Sequence, residues 1–114
     1  MSGRRPPRES GELVRLRDLI DALDRRIVEL LNERAELTID VGREKVALGR
    51  RSIRDRERER EVLLRVSIAN EGPMPQADLL AVYRRLIAVS RLLEAREREK
   101  LLTGDGGPAE PPGA

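Results

Sequence analysis

The longest periodic pattern of apolar residues in the chain lies between Glu12 and about Leu48. Apolar side chains recur there every three or four residues, at Leu16, Ile20, Leu23, Ile27, Leu30, Leu37 and Val41. This near-heptad spacing predicts one long amphipathic helix. Ser10 is suited to cap its N-terminus, and Gly49 marks its expected end.

Two shorter helices are predicted in the rest of the chain. One begins at Asp55 and runs to about Asn70, where the sequence EGPMP breaks the pattern. The other runs from about Gln76 to Leu102, with an apolar stripe at Leu79, Val82, Tyr83, Leu86, Ile87, Val89 and Leu93. No stretch alternates as a strand would. The sequence therefore predicts an all-α chain of three helices with one long N-terminal helix.

Composition indicates how these helices are arranged. The segments 1–10 and 103–114 are rich in proline and glycine, so we expect two disordered tails around one helical domain, 11–102. That domain has one Tyr and no Trp or Phe. A small aliphatic core is marginal alone, and a helix of this length outruns a small globule. An intertwined homodimer is therefore expected.

Charge and residue types exclude several functions. Lys and Arg number 23 against 21 Asp and Glu, so the formal net charge of +2 gives little support for nucleic-acid binding. Cysteine and histidine are absent, which removes thiolate chemistry, the commonest general base and the commonest metal ligand. We see neither a signal peptide nor a membrane-spanning run, so a cytoplasmic location is the default expectation.

Two cations interrupt the apolar stripe of the first helix. At about 100° per residue, Arg34 and Lys45 project along the middle of the stripe, and Arg17 lies at its edge. A cation in an apolar seam needs an anion nearby, supplied by another helix or by a ligand. Arg34 and Lys45 are separated by roughly 16 Å of helical rise, which suits a small dianion held between long side chains. An interhelical salt bridge or snorkelling to the surface is the competing interpretation.

The second and third helices also place polar residues on their apolar faces. If the apolar face of the second helix is extended towards its N-terminus, it includes Asp55, Arg58 and Glu59. A charged run of this kind is commonly a solvated first turn. Ser90 lies at the centre of the third stripe, where a hydroxyl often bonds its own helix backbone. Glu94 lies one turn later and needs a partner.

We expect the partner of Glu94 to be Lys45 or Arg34.

Gly42 is unusual for its position, because it lies inside the first helix, at a cost of up to ~1 kcal/mol relative to alanine. Gly42 is either merely tolerated there or needed for the close approach of another backbone or a ligand.

Together these residues match a known family. The sequence LRDLIDALDRRIVELLNERAEL, then VGREK, then Asp55-x-x-Arg58-Glu59, then Ser90-x-x-x-Glu94 resembles the all-helical AroQ class of chorismate mutases. The resemblance covers roughly residues 12–97, with the motifs in order and at family spacing. It implies an intertwined homodimer that rearranges chorismate to prephenate without a cofactor. Ser52 departs from the family, in which many members have proline.

The resemblance also implies roles for the charged residues. Arg34 and Lys45 would bind the substrate within one protomer, and Arg17 would reach in from the other. Arg58 would belong to the same pocket. Asp55 and Glu59 would line the side that holds the ring hydroxyl, and Ser90 would contact a carboxylate. Glu94, in its protonated form, would share the ether oxygen with Lys45.

The absence of nucleophile and metal motifs agrees with such a reaction. A unimolecular rearrangement needs a compact reactive conformer and stabilisation of charge on the breaking ether oxygen. Two alternatives remain: elimination of pyruvate from isochorismate, by enzymes of this fold that lack Asp-x-x-Arg-Glu, and a non-catalytic helical dimer that regulates or binds a partner. The resemblance leaves open whether a second enzyme of the pathway, such as an aldolase, acts as a partner.

Overall fold

The structure is a computed structural model that describes residues 10–50 and 54–104. Within these ranges the chain forms three α-helices and no strand: α1 (Gly11–Ala47), α2 (Arg56–Ala69) and α3 (Gln76–Thr103). The all-α class is confirmed. Helix α3 continues one residue beyond the predicted boundary at Leu102. The predictions of disorder for residues 1–9 and 105–114, and the departure at Ser52, lie outside the described residues.

Local hydrogen bonds and glycine residues fix several of the helix ends, at residue types that favour these positions. The Ser10 hydroxyl oxygen accepts a hydrogen bond from the Leu13 amide at 3.0 Å, and Asp55 Oδ1 accepts one from the Arg58 amide at 3.0 Å. Each satisfies a donor that the first turn of a helix leaves unpaired. Gly49 and Gly104 follow the ends of α1 and α3 with φ of 72° and 74°. Only glycine adopts this conformation without steric cost.

The chain divides into two compact units, the first ending at Arg34 and the second beginning at Ala35. The first unit contains most of α1. Its apolar stripe is largely exposed in the single chain, with Ile20 at 55%, Leu23 at 57% and Ile27 at 50%. The spacing of this stripe is typical of a helix face that packs against another surface, but in the single chain the stripe is exposed to solvent.

The second unit contains the last three turns of α1 together with α2 and α3. Helix α2 packs on α3, and among the described residues Ile87 of α3 is the only buried hydrophobic side chain. The other buried side chains are charged: Glu94 and Glu97, both on α3. Polar contacts therefore account for much of what joins the helices of this unit.

The turn between α2 and α3 is closed by two amide side chains. Asn70 Nδ2 donates to the Met74 carbonyl at 3.0 Å and to Gln76 Oε1 at 2.7 Å, and the Gly72 amide donates to Asn70 Oδ1 at 3.0 Å. Gln76 Nε2 donates to the Ser67 carbonyl in the last turn of α2 at 2.9 Å. These bonds fix where α3 begins relative to the end of α2. No helix in the described ranges is long and apolar enough to cross a bilayer.

Candidate active site

The centre of the candidate site is an ion pair between α1 and α3. Lys45 Nζ lies 2.6 Å from Glu94 Oε1, and the two side chains are only 13% and 11% exposed. Of the two cations expected to pair with Glu94, the structure shows Lys45. Removing one member of such a buried pair leaves an uncompensated charge, which typically costs about 3–5 kcal/mol. The pair therefore fixes both functional groups in place.

Gly42 explains how α1 and α3 come close enough for this contact. A Cβ atom at this position would lie 3.2 Å from Glu94 Cα, and 3.5 Å from both Glu94 Cβ and Cγ. The backbone of α1 thus runs against the residue that carries the carboxylate, and the absence of a side chain permits it. Of the two interpretations of Gly42, the close approach is confirmed.

A second ion pair joins the same two helices and was missed by the sequence reasoning. Arg43 Nε donates to Glu97 Oε1 at 2.9 Å, and Glu97 is 8% exposed. Arg43 also donates to Asp40 Oδ1 at 3.1 Å. The hydrogen bond to Glu97, with the charge of that carboxylate, raises the pKa of Arg43 above its ordinary value. Helical spacing was the available signal, because Glu97 follows Glu94 by three residues.

Glu59 occupies a third cluster, formed by α2, α3 and the segment before α2. Arg91 Nη1 donates to Glu59 Oε1 at 2.8 Å and to Oε2 at 2.9 Å, while Arg54 Nη2 lies 3.5 Å from Oε1. Both arginines were missed as neighbours of Glu59. A cleft of ≈ 270 Å³ opens here, lined by Arg54, Glu59, Leu63, Arg84, Ile87 and Arg91.

The other predicted site residues of the second unit have structural partners. Asp55 caps α2, as described above, and Arg58 Nη1 lies 3.5 Å from Glu61 Oε2 in an exposed pair of the kind that contributes little to stability. The Ser90 hydroxyl donates to the Leu86 carbonyl at 2.9 Å, which is the back-bonded arrangement expected of a serine inside a helix.

Arg17 and Arg34 belong to the first unit, where both lie on α1. Arg17 is exposed and Arg34 is half-buried. The structure therefore brings together Lys45 and Glu94 among the predicted residues, and adds two further pairs, Arg43 with Glu97 and Arg91 with Glu59.

The chemistry available to the second unit is that of fixed charges. The ammonium of Lys45 and the guanidinium groups around Glu59 offer hydrogen-bond donors, and the carboxyl groups offer acceptors. Half-buried or buried charges act more strongly on a bound polar molecule than charges in water do. Such a site suits the binding of a small anion and the stabilisation of charge as it develops.

The fold and the charged cluster define an all-helical protein whose helices are joined by ion pairs shielded from water. A model of the family "chorismate mutase type II" matches residues 16–95, more than half of the chain. The chain belongs to this family.

Relatives and a solved structure agree with this assignment. A bifunctional chorismate mutase/prephenate dehydratase from Aquifex aeolicus is 37% identical over 75% of this chain and 24% of its own length. One from Stutzerimonas stutzeri is 31% identical over 86% of this chain and 28% of its own length. The chain thus spans about a quarter of these relatives. The structure of chorismate mutase (form II) from Thermus thermophilus superposes with a TM-score of 0.71 and 32% identity, over 75% of this chain and 96% of that one.

Proposed function

We propose that the protein is a chorismate mutase, an isomerase that rearranges chorismate to prephenate. The observation that carries the proposal is the buried pair of Lys45 and Glu94, 2.6 Å apart, in a chain of the chorismate mutase type II family. The pair places one cation and one carboxyl group together at a fixed position, as stabilisation of a single oxygen requires.

Lys45 and Glu94 act on the ether oxygen in this proposal. That oxygen gains negative charge as its bond to the ring breaks, so hydrogen-bond donors at fixed positions lower the barrier. The bond to Glu94 fixes the ammonium of Lys45, a strong hydrogen-bond donor, between α1 and α3. In the proposed complex with substrate, Glu94 is the neutral acid: Oε1 still accepts from Lys45, and the other carboxyl oxygen carries the proton that it donates to the ether oxygen, because an ionised carboxylate would repel that oxygen.

The remaining roles are proposed from the family resemblance. Arg34, with Lys45, binds the substrate within one protomer, and Arg58 belongs to the same pocket. Asp55 and Glu59 line the side of the ring hydroxyl, and Ser90 contacts a carboxylate. Holding both carboxylates of the substrate favours the compact conformer from which the reaction proceeds.

We further propose that the working form is a homodimer, with Arg17 contributed across the interface. The exposed stripe on the first unit supports this, since Leu16, Ile20, Leu23, Ile27 and Leu30 are each 44–57% exposed in the single chain. An exposed apolar surface of this length is typical of a protein–protein interface. A second copy of the same stripe is a complementary partner for it, as in isologous interfaces.

The direct test is the loss of the ultraviolet absorbance of chorismate on adding the purified protein, with prephenate identified as the product. We expect turnover without any added cofactor. Two other outcomes would reject the proposal. Release of pyruvate from isochorismate, without turnover of chorismate, would indicate the lyase reaction. Turnover of neither substrate by the folded protein would indicate a regulatory or partner-binding dimer.

A further inference from the structure

The contact between Glu59 and Arg91 is not explained by the roles proposed so far. One nitrogen of Arg91 donates to both carboxylate oxygens of Glu59, at 2.8 and 2.9 Å. The glutamate side chain is 17% exposed and that of the arginine 34%. The two residues lie on different helices, α2 and α3. The contact therefore fixes the carboxylate of Glu59 relative to α3, the helix that also carries Ser90 and Glu94.

The surroundings of this contact favour Arg91 as the residue that holds Glu59. Arg54 also faces Glu59, but its Nη2 lies 3.5 Å from the carboxylate and its side chain is 51% exposed. An exposed ion pair at that distance imposes little geometry. Arg91 extends from a regular helix and makes two bonds, which restrict the position and the rotation of the carboxylate.

Glu59 keeps the capacity to bind a hydroxyl group in this arrangement. Each carboxylate oxygen can accept two hydrogen bonds, and Arg91 uses one acceptor position on each. The neighbouring cleft has three arginines against one glutamate, an excess of two positive charges, with Leu63 and Ile87 as apolar walls. It is thus open to a small anionic molecule that presents a hydroxyl group to Glu59.

We infer that Arg91 is a positioning residue of the proposed site: it orients the Glu59 carboxylate toward the ring hydroxyl of the substrate. The inference rests on the proposed function, in which Glu59 lies on that side of the substrate. Arg91 acts through Glu59 and need not touch the substrate itself. A misplaced Glu59 would leave the substrate bound by its carboxylates but less often in the reactive geometry.

The test compares kcat and KM for chorismate in three variants of the full chain. Arg91→Ala should lower kcat roughly tenfold, with KM nearly unchanged, because orientation rather than uniform binding is lost. Arg91→Lys keeps a cation within reach and should recover part of kcat. Arg85→Ala is the matched control, since it removes an exposed arginine of the same helix that does not line the cleft and leaves both bonds between Arg91 and Glu59 in place. It should have the kcat of the parent protein.

A second measurement ties the effect to Glu59. In a Glu59→Gln background, Arg91→Ala should cause no further loss, because the group that it orients has already been changed. An equal, additive loss would show that Arg91 acts independently of Glu59 and would overturn the inference. The inference would equally fail if Arg91→Ala raised KM alone, as expected of direct substrate binding, or if Arg85→Ala caused the same loss.

These outcomes are distinct from a failure of the proposed function. A parent protein that is folded by circular dichroism and does not turn over chorismate overturns the proposed function, and this inference with it. If the parent protein is active but Arg91→Ala raises KM alone, or causes a loss that adds to that of Glu59→Gln, only the proposed role of Arg91 is overturned. Thermal unfolding of each variant separates orientation from stability, because a merely structural contact would change the midpoint and not kcat at a temperature where all variants are folded.

Discussion

Gly42→Ala should lower the turnover of chorismate in a protein that remains folded. The added Cβ would lie 3.2 Å from Glu94 Cα, closer than the ordinary contact range of 3.4–4 Å. The atom in its way is helix backbone, which cannot rotate aside as the end of a side chain can. Helices α1 and α3 must therefore separate by a few tenths of an ångström at this point.

The cost in stability is the difference of two terms. Overpacking a close contact costs typically about 1–3 kcal/mol, and replacing glycine by alanine inside a helix recovers up to ~1 kcal/mol. The free energy of unfolding should thus fall by between roughly 0 and 2 kcal/mol. Chemical unfolding monitored by circular dichroism measures this change.

The cost in activity has a separate cause, because the displaced residue carries a carboxyl group of the proposed site. The substitution moves Glu94 relative to Lys45, whose contact is 2.6 Å long in the parent protein. A misplacement of 1 Å costs on the order of 100-fold in rate, so a shift of a few tenths should lower kcat roughly tenfold or less. Gly11→Ala is the control on the same helix, since its Cβ would meet no atom within 4 Å. We expect it to leave kcat unchanged.

A Gly42→Ala variant that is more stable than the parent by ~1 kcal/mol and retains its kcat would contradict this prediction. That is the result expected from helix propensity alone. It would mean that the close approach of α1 to Glu94 is incidental to both packing and catalysis.

Two other predictions follow from the proposed roles. Mixing Arg17→Ala with Arg34→Ala, each inactive alone, should restore some activity, because one site of each heterodimer is intact; no recovery in a mixture shown by mass spectrometry to contain heterodimers would place Arg17 outside the partner's site. Glu94→Gln should retain turnover of chorismate, whereas Glu94→Ala should lose most of it, because glutamine keeps the length of the side chain and a hydrogen-bond donor and alanine keeps neither. Equal loss in both variants, with folding confirmed by circular dichroism, would show that Glu94 does not act as a donor.

The sequence was sufficient for the helices because each end carries its own signal. Ser10 accepts the capping bond expected of it, Asp55 caps α2 at the predicted start of that helix, and Gly104 ends α3 in a left-handed conformation. Periodicity also placed Glu94 on an apolar face, from which its need for a cation followed. The contact with Lys45 confirms that step.

Arg91 and Glu97 were missed for a physical reason. Charged residues make up 39% of the chain, so a further arginine or glutamate on a helix is typical of a solvated surface. Their contacts with neighbouring helices distinguish Arg91 and Glu97, and these contacts depend on the distance between helices, which periodicity within one helix does not give. The spacing of three residues places Glu97 beside Glu94, but it does not show that Arg43 lies opposite.

The amide contacts in the turn between α2 and α3 have a consequence for how the chain reaches its native state. Asn70 and Gln76 join residues no more than nine positions apart, so the loop that they close is short. Closing a short loop costs little chain entropy, and contacts of low sequence separation form quickly. The ion pair between Lys45 and Glu94 joins residues 49 positions apart and carries a closure cost that is larger by roughly 1.5 kcal/mol, at about 0.6 kcal/mol for each doubling of the loop. We therefore expect the hairpin of α2 and α3 to form first and the end of α1 to dock on it afterwards, so that the pair of Lys45 and Glu94 is assembled last.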